Sequence, residues 1–477
     1  MKLKFRKIVI IFILIFSGFN AHGQDCSCSE SLEELKKALE ENYSLFKFKV
    51  NEKNRPVYDA FSEVHKELAH ESTDFEDCKI ILGNWLKFFR DGHVWINYKP
   101  SENLNTETIE LGEEKFKSFY LSSDKPQEDL IGIWESGGYK VAIMPEENPE
   151  NAKRDYVGVV LSSQNEDWNR NEIKFELKKV YGNDFNATFF MGNHSPRRVS
   201  SKLQNEGLLT FEGLNDWVKV WPGERTINIK PSQSMAYQGF HFEMLDGKIP
   251  YFRFPNFDLS FIESLNNVLE EYHTQIMEAE FMVVDVRNNS GGYDSAYYPL
   301  MPYILSGPIE IPTVYHYLSA YFKSQQEVGV EEEDIDELEN EEDKAMLRLF
   351  YDNQDTLVSF SNEEYYTYSP DTFYTQPKKV AILIGEKTVS SGETFVLNTK
   401  QSDKVILYGQ NTAGIIDGFN GLELELSCFS LRFPSSVRSI DVSENPIDPY
   451  GIAPDVYLDE SVDVLDFALK HLRLLKD

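Results

Sequence analysis

Two adjacent serines, Ser390 and Ser391, stand where an apolar run ends and a helix-forming run begins. The run Val380-Ala381-Ile382-Leu383-Ile384-Gly385 reads as a buried parallel strand, and Thr394-Phe395-Val396-Leu397 reads as the start of a helix. A hydroxyl at such a turn can be presented to a substrate while helix N-terminal N–H groups point at developing negative charge. The chemistry this suits is nucleophilic attack on an acyl carbon. The same pattern also describes a serine N-cap, which accepts a backbone N–H and does no chemistry.

Three further segments bear on that choice. Phe281-Met282-Val283-Val284-Asp285-Val286-Arg287-Asn288-Asn289-Ser290-Gly291-Gly292 reads as a second buried strand ending in a glycine pair. Phe88-Phe89-Arg90-Asp91-Gly92-His93-Val94 places a histidine just past a helix, and Pro446-Ile447-Asp448-Pro449-Tyr450-Gly451-Ile452-Ala453-Pro454-Asp455 supplies a late carboxylate in a turn. Together these resemble serine peptidase family S41, which contains the C-terminal processing peptidases and the tricorn core peptidases. Asp285 to Gly292 looks like the family's Asp-Leu-Arg-x-Asn-x-Gly-Gly, and Thr388 to Glu393 like its Thr-x-Ser-x-(Ser/Gly)-Glu. Gly409-Gln410-Asn411-Thr412-Ala413-Gly414 looks like Gly-x-x-Thr-x-Gly, and Gly451 to Asp455 like Gly-Ile-x-Pro-Asp. The resemblance covers roughly the C-terminal half plus the Asp-Gly-His segment.

The resemblance implies a serine-type peptidase, a hydrolase of peptide or protein substrates that needs no cofactor and no metal. It selects Ser390 over Ser391 as nucleophile and leaves Ser391 to donate its backbone N–H to the oxyanion. Gly291 or Gly292 would supply the second donor, because backbone without a Cβ can approach a substrate carbonyl closely. The processing peptidases place a lysine base shortly after Thr-x-Gly, but Ile415 stands there and cannot accept a proton. Lys387 and Lys400 are near in sequence and do not match the motif. The tricorn-like branch uses a histidine from the N-terminal part, which makes His93 the base and Asp448 the carboxylate that orients it. A non-catalytic peptide- or lipid-binding protein on the same scaffold, like the family's retinoid-binding relatives, is the alternative. Asp285 and Arg287 read as an ion pair bracing a strand end.

The elements that must position these residues fall into three segments. Residues 24–98 read as a small helical domain, with a capping box at Ser31 and Glu34 and an apolar face of Leu32, Leu35, Leu39 and Tyr43. Residues 99–232 read as a β-rich barrel or sandwich in the place where processing peptidases carry a PDZ domain, whose signature is absent from the sequence. Strands are expected at 132–134, 139–144, 156–161 and 173–177. Residues 233–477 alternate strand and helix, which predicts an α/β core, a ClpP/crotonase-like parallel sheet with helices by the resemblance. One long helix is expected from Phe261 to Ile276.

Residues 1–23 read as a secretory signal peptide: Lys2, Lys4, Arg6 and Lys7 precede an apolar run from Ile8 to Phe19, and Ala21-His22-Gly23 fits the cleavage rule. The mature protein is then expected to be periplasmic or secreted, with no membrane span. Losing those four basic residues would take the net charge from −32 to −36. Such a surface repels nucleic acid and anionic membranes. The acidic run Glu331 to Asp343 is expected to be a solvated loop, since it lacks the spacing of a calcium loop. Of the four cysteines, Cys26 or Cys28 is expected to pair with Cys78, leaving Cys428 unpaired.

Overall fold

The computed structural model describes residues 27–72, 75–98, 107–122, 129–146, 153–192, 194, 196–204, 207–211, 214, 216–222, 239–326, 330, 332–338, 340–459 and 461–475. The expected signal peptide, its cleavage site and Cys26 lie outside the described residues.

The centre of the C-terminal part is a six-stranded sheet in the order His241–Leu245, Ile249–Arg253, Phe281–Asp285, Lys379–Ile384, Val405–Gly409, Val456–Tyr457. The last five run parallel, and the first joins antiparallel through a hairpin. The sheet is therefore mixed, where a parallel one was expected. Its two middle strands are apolar from Phe281 to Val284 and from Val380 to Ile384 because both faces are covered. Met282, Val284, Val380, Ile382 and Ile384 pack into one core, and Val283, Ala381 and Leu383 into a second. The period of two along each strand divides the residues between these layers. The expected helix over 261–276 is two helices, Phe261–Glu271 and His273–Glu278, separated at Tyr272.

Eight strands between Gly132 and Trp221 close into a barrel, and all four expected strands belong to it. Trp134, Phe175, Leu209 and Trp217 fill its interior.

The N-terminal helices are Cys28–Asn42, Phe46–Lys49, Arg55–Glu71 and Phe75–Leu86. The first begins four residues earlier than the expected capping box implies: Ser27 is the N-cap and accepts from Glu30 N–H, while Ser31 is buried inside the helix. Strand Trp95–Tyr98 follows the helices and pairs antiparallel with Phe429–Val437, which also carries the hairpin strand Gly418–Glu425. A second sheet thus joins the two ends of the chain.

Cys28 and Cys78 form a disulfide between the first and fourth helices. Cys428, expected to be unpaired, is disulfide-bonded as well. The turn before Phe429 packs Cys428 into the same core as Cys28 and Cys78, which places it among the N-terminal cysteines. The acidic segment is more ordered than a loop. Glu332–Glu337 forms a 3-10 helix, and Glu341, Glu342 and Asp343 occupy the first turn of helix Glu341–Asp352, capped by Asn340. Carboxylates are favourable there because the helix N-terminus is electropositive.

Candidate active site

Strand Lys379–Ile384 ends in a turn that leads to helix Ser391–Thr399, and Ser390 is the residue between them. Its backbone sits at φ 54°, ψ −119°, a region that non-glycine residues rarely occupy. Its side chain makes no capping hydrogen bond. The plain N-cap reading therefore does not describe it: the hydroxyl is held outward by a strained turn and left half-buried.

The turn is fastened from several sides. Thr388 Oγ1 donates to Val286 C=O at 2.8 Å and accepts from Gly385 N–H, linking two strand ends. Val389 N–H donates to Asn289 C=O. Gly291 lies directly over Ser390: a Cβ there would come within 2.9 Å of the Ser390 Cβ, and its φ is 86°. Only glycine fits that approach without displacing the serine.

The glycine pair divides its work. Gly291 is buried and its N–H donates to Asn289 Oδ1 at 2.9 Å, so it has no donor left for a substrate. Gly292 is exposed, and Ser391 Oγ donates to its C=O at 2.8 Å. That bond draws the Gly292 and Ser391 backbones together beside Ser390.

Glu393, one helical turn after Ser390, is fully buried and anchors the loop after strand Val405–Gly409. Its carboxylate accepts from Thr412 Oγ1 at 2.6 Å, Gly414 N–H at 2.8 Å and Ile415 N–H at 2.9 Å. Burial raises its pKa, and those donors oppose the shift. Ile415 then packs against Gly92, where a Cβ would lie 2.6 Å from Ile415 Cγ2. The residue after Gly92 is His93. The next residue after Ile415, Ile416, donates its N–H to Asp448 Oδ1 at 2.7 Å, and Asp417 N–H does so at 3.1 Å. Glu393, Gly92 and Asp448, from three distant parts of the chain, thus all meet the short segment Gly414–Asp417.

The Asp91-Gly92-His93 turn is held by its own aspartate. Asp91 Oδ1 accepts from His93 N–H at 2.8 Å, and Asp91 Oδ2 accepts from Tyr43 O–H at 2.6 Å. Two buried atoms in this region find no hydrogen-bond partner: His93 Nδ1 and Asp448 Oδ2. Burial, with Asp91 and Asp417 nearby, pushes the Asp448 carboxyl up to about 8, although Lys49 Nζ lies 4.0 Å away.

The nearby lysines are otherwise engaged. Lys387 Nζ lies 3.0 Å from Asp216 Oδ1, at the start of the last barrel strand, and Lys400 is exposed at the far end of the helix. Asp285 is braced as expected by Arg287, with Nη2 2.6 Å from Oδ2, and also accepts from Tyr251 O–H at 2.7 Å. Sequence reasoning did not pick out Glu393, Tyr43 or Asp216 as parts of this arrangement, and it noted Ile415 only as the residue standing where a lysine base would be. Glu393 alone carried a signal, as the last residue of the serine motif.

Comparison with known proteins bears on the same segments. Residues 248–458 match the model of peptidase family S41, which covers both strand-end motifs, Ser390, the Gly414–Asp417 segment and Asp448. No curated protein matches the chain. Among solved structures, mature CPAF is 12% identical, with 94% of this chain and 95% of that one covered and a TM-score of 0.46. A candidate peptidase from Parabacteroides merdae is 15% identical, covering 95% and 98%, at 0.45. The photosystem II D1 C-terminal processing protease is 14% identical, covering 91% and 94%, at 0.38. At these scores the likenesses carry no functional weight.

Proposed function

Since residues 248–458 are a domain of peptidase family S41, we propose that the chain is an exported serine peptidase with Ser390 as nucleophile and His93 as base. One observation carries this reading. Ser390 is held at positive φ between a buried strand and a helix, with its hydroxyl unused for capping and Gly291 pressed against it. Strain of this kind, of order 1–3 kcal/mol, persists only where the surroundings enforce it, and it clusters at functional sites.

In this reading His93 Nε2 takes the Ser390 hydroxyl proton as Oγ attacks the scissile carbonyl carbon. The carbonyl electron pair moves to oxygen, and the oxyanion receives the N–H groups of Gly292 and Ser391. Collapse of the tetrahedral intermediate breaks the C–N bond, and the proton passes from His93 to the leaving amine. Water then enters by the same route and releases the acyl group. Asp448 Oδ2 and His93 Nδ1 are chemically complementary, and their pairing would fix the tautomer that leaves Nε2 free to accept. The substrate of such an enzyme is a peptide or protein.

Export is supported by the basic and apolar pattern of residues 1–23 and by the disulfides, which persist in oxidising compartments. Among the described residues no helix is long and apolar enough to cross a membrane.

Fluorophosphonate labelling with peptide hydrolysis tests the assignment. Wild type should label, and Ser390→Ala should neither label nor hydrolyse, with a loss of at least about 10⁴-fold. His93→Ala should lose nearly as much, because members of such a unit are strongly non-additive. Ser391→Ala retains its N–H and should lose less than about tenfold. An active Ser390→Ala enzyme would refute the nucleophile. A folded wild type that neither labels nor hydrolyses would leave the binding protein as the reading.

A further inference from the structure

A pocket of about 500 Å³ opens at the C-terminal ends of strands Lys379–Ile384 and Val405–Gly409, beside the turn that presents Ser390. Its lining includes Glu386, Gln410, Asn411, Thr412, Tyr450 and Tyr457. This volume is in the range of small-ligand sites and has room for one long side chain.

The floor is rigid and belongs to the nucleophile's own scaffold. Thr412 donates to Glu393 and accepts from Ile452 N–H at 2.7 Å. Its neighbour Ala413 donates N–H to Thr388 C=O at 3.0 Å. The pocket is therefore fixed to residues just before and just after Ser390. Glu386 is four residues from Ser390, so along the chain their separation is at most about 14 Å. An extended peptide acylating Ser390 spans that distance in about four residues.

The lining selects by charge. Glu386 is exposed, and among the described residues it has no hydrogen bond or ion pair. No lysine or arginine lines the pocket. Asn411 donates its amide to Tyr450 C=O at 3.0 Å, which leaves the carboxamide oxygen to accept. Tyr450 and Tyr457 are both exposed and offer aromatic faces. A carboxylate without a counter-charge, a carboxamide oxygen and two aromatic rings suit a guanidinium or ammonium group.

We propose that this pocket is a substrate subsite taking an arginine or lysine side chain, with Glu386 as its counter-charge. The proposal rests on Ser390 being the nucleophile. Because the carboxylate is open to solvent, the preference should be moderate and should weaken with salt.

Arginine, glutamine and glutamate are walked through the four positions on either side of the scissile bond of one model peptide. At one position wild type should favour arginine over glutamine by roughly tenfold in kcat/KM. Glu386→Gln should reduce that ratio to near one, and Glu386→Arg should shift the preference to glutamate. Glu386 makes no contact whose loss would unfold the protein, and fluorophosphonate labelling of both variants at the wild-type rate would confirm an intact serine. An active wild type with no preference at any position, or a preference that survives Glu386→Gln, would overturn the proposal. Binding of the same peptides to Ser390→Ala protein, read by fluorescence anisotropy, separates the two readings. If wild type does not label, the nucleophile assignment has failed, and arginine binding that depends on Glu386 still reports the pocket. Arginine and glutamine peptides bound equally would overturn it there too.

Discussion

Asp285 and Asp448 are both buried, and the fold treats them in opposite ways. Burial alone would raise the Asp285 carboxyl, but the charges of Arg287 and Arg253 and the Tyr251 hydroxyl hold it below its ordinary range. Both its oxygens are engaged. Asp448 has two backbone donors on one oxygen, none on the other, and two carboxylates close by. A fully paired carboxylate closes a strand end. An under-paired one, kept in place by its backbone donors, stores affinity for a partner with a proton to give. Under the proposed mechanism the difference is one between scaffold and chemistry.

Replacing each aspartate by asparagine sharpens the contrast. Asp448→Asn should lower kcat by about 10³- to 10⁴-fold through the wrong histidine tautomer, while the protein stays folded. Wild-type activity should fall as pH drops through about 8, where Asp448 takes up its proton. The residual activity of Asp448→Asn should lack that limb. Stability carries the opposite sign. The folded state keeps a proton that the unfolded chain releases, so stability is fully present below the ordinary carboxyl range and is lost as pH rises towards about 8. Melting temperature against pH should show this decline in wild type and less of it in Asp448→Asn. A pH profile identical in the two proteins would remove Asp448 from the mechanism.

Asp285→Asn should act on the fold. Breaking a buried pair by removing one partner costs about 3–5 kcal/mol, which chemical denaturation would read directly. Full stability with a large loss of kcat would reverse the roles given to the two aspartates.

The smallest expected effect concerns the barrel. Lys387→Met would release the nucleophile turn from Asp216. We expect a three- to thirtyfold loss in kcat, below the ~10²-fold that a 1 Å misplacement can produce. Burial already raises the Asp216 carboxyl, so it can accept a proton when its lysine is removed, and the fold should survive. Lys387→Arg should restore most of the activity. Unchanged kcat in Lys387→Met would mean that the barrel does not position the turn.

What was legible in the sequence was local. The buried strands, the serine turn and the barrel strands follow from apolar runs and alternation within a few residues, and the structure contains them all. What was not legible depended on partners far along the chain. Nothing near Trp95 indicates that it will face Arg432, and nothing near Cys428 indicates that it will enter the N-terminal core. The Ser31 capping box failed for another reason. Ser27-Cys28-Ser29-Glu30 offers the same signature four residues earlier, and the burial of Ser31 and Leu32 selects it. Gly291 and Gly292 are equivalent as text, and the side chain of Asn289 distinguishes them.

The strand that follows His93 has a consequence for how the protein comes into being. His93 precedes Asp448 by 355 residues, and the sheet at Trp95–Tyr98 closes only against residues 429–432. Contacts so remote form slowly, because long loops must close before they are rewarded. Under the proposed assignment, a chain still being made would hold the base and lack the nucleophile, then hold both and lack the carboxylate. Hydrolytic competence would then wait until Asp448 has been made, and a product truncated before it would carry the serine without the carboxylate that orients its base.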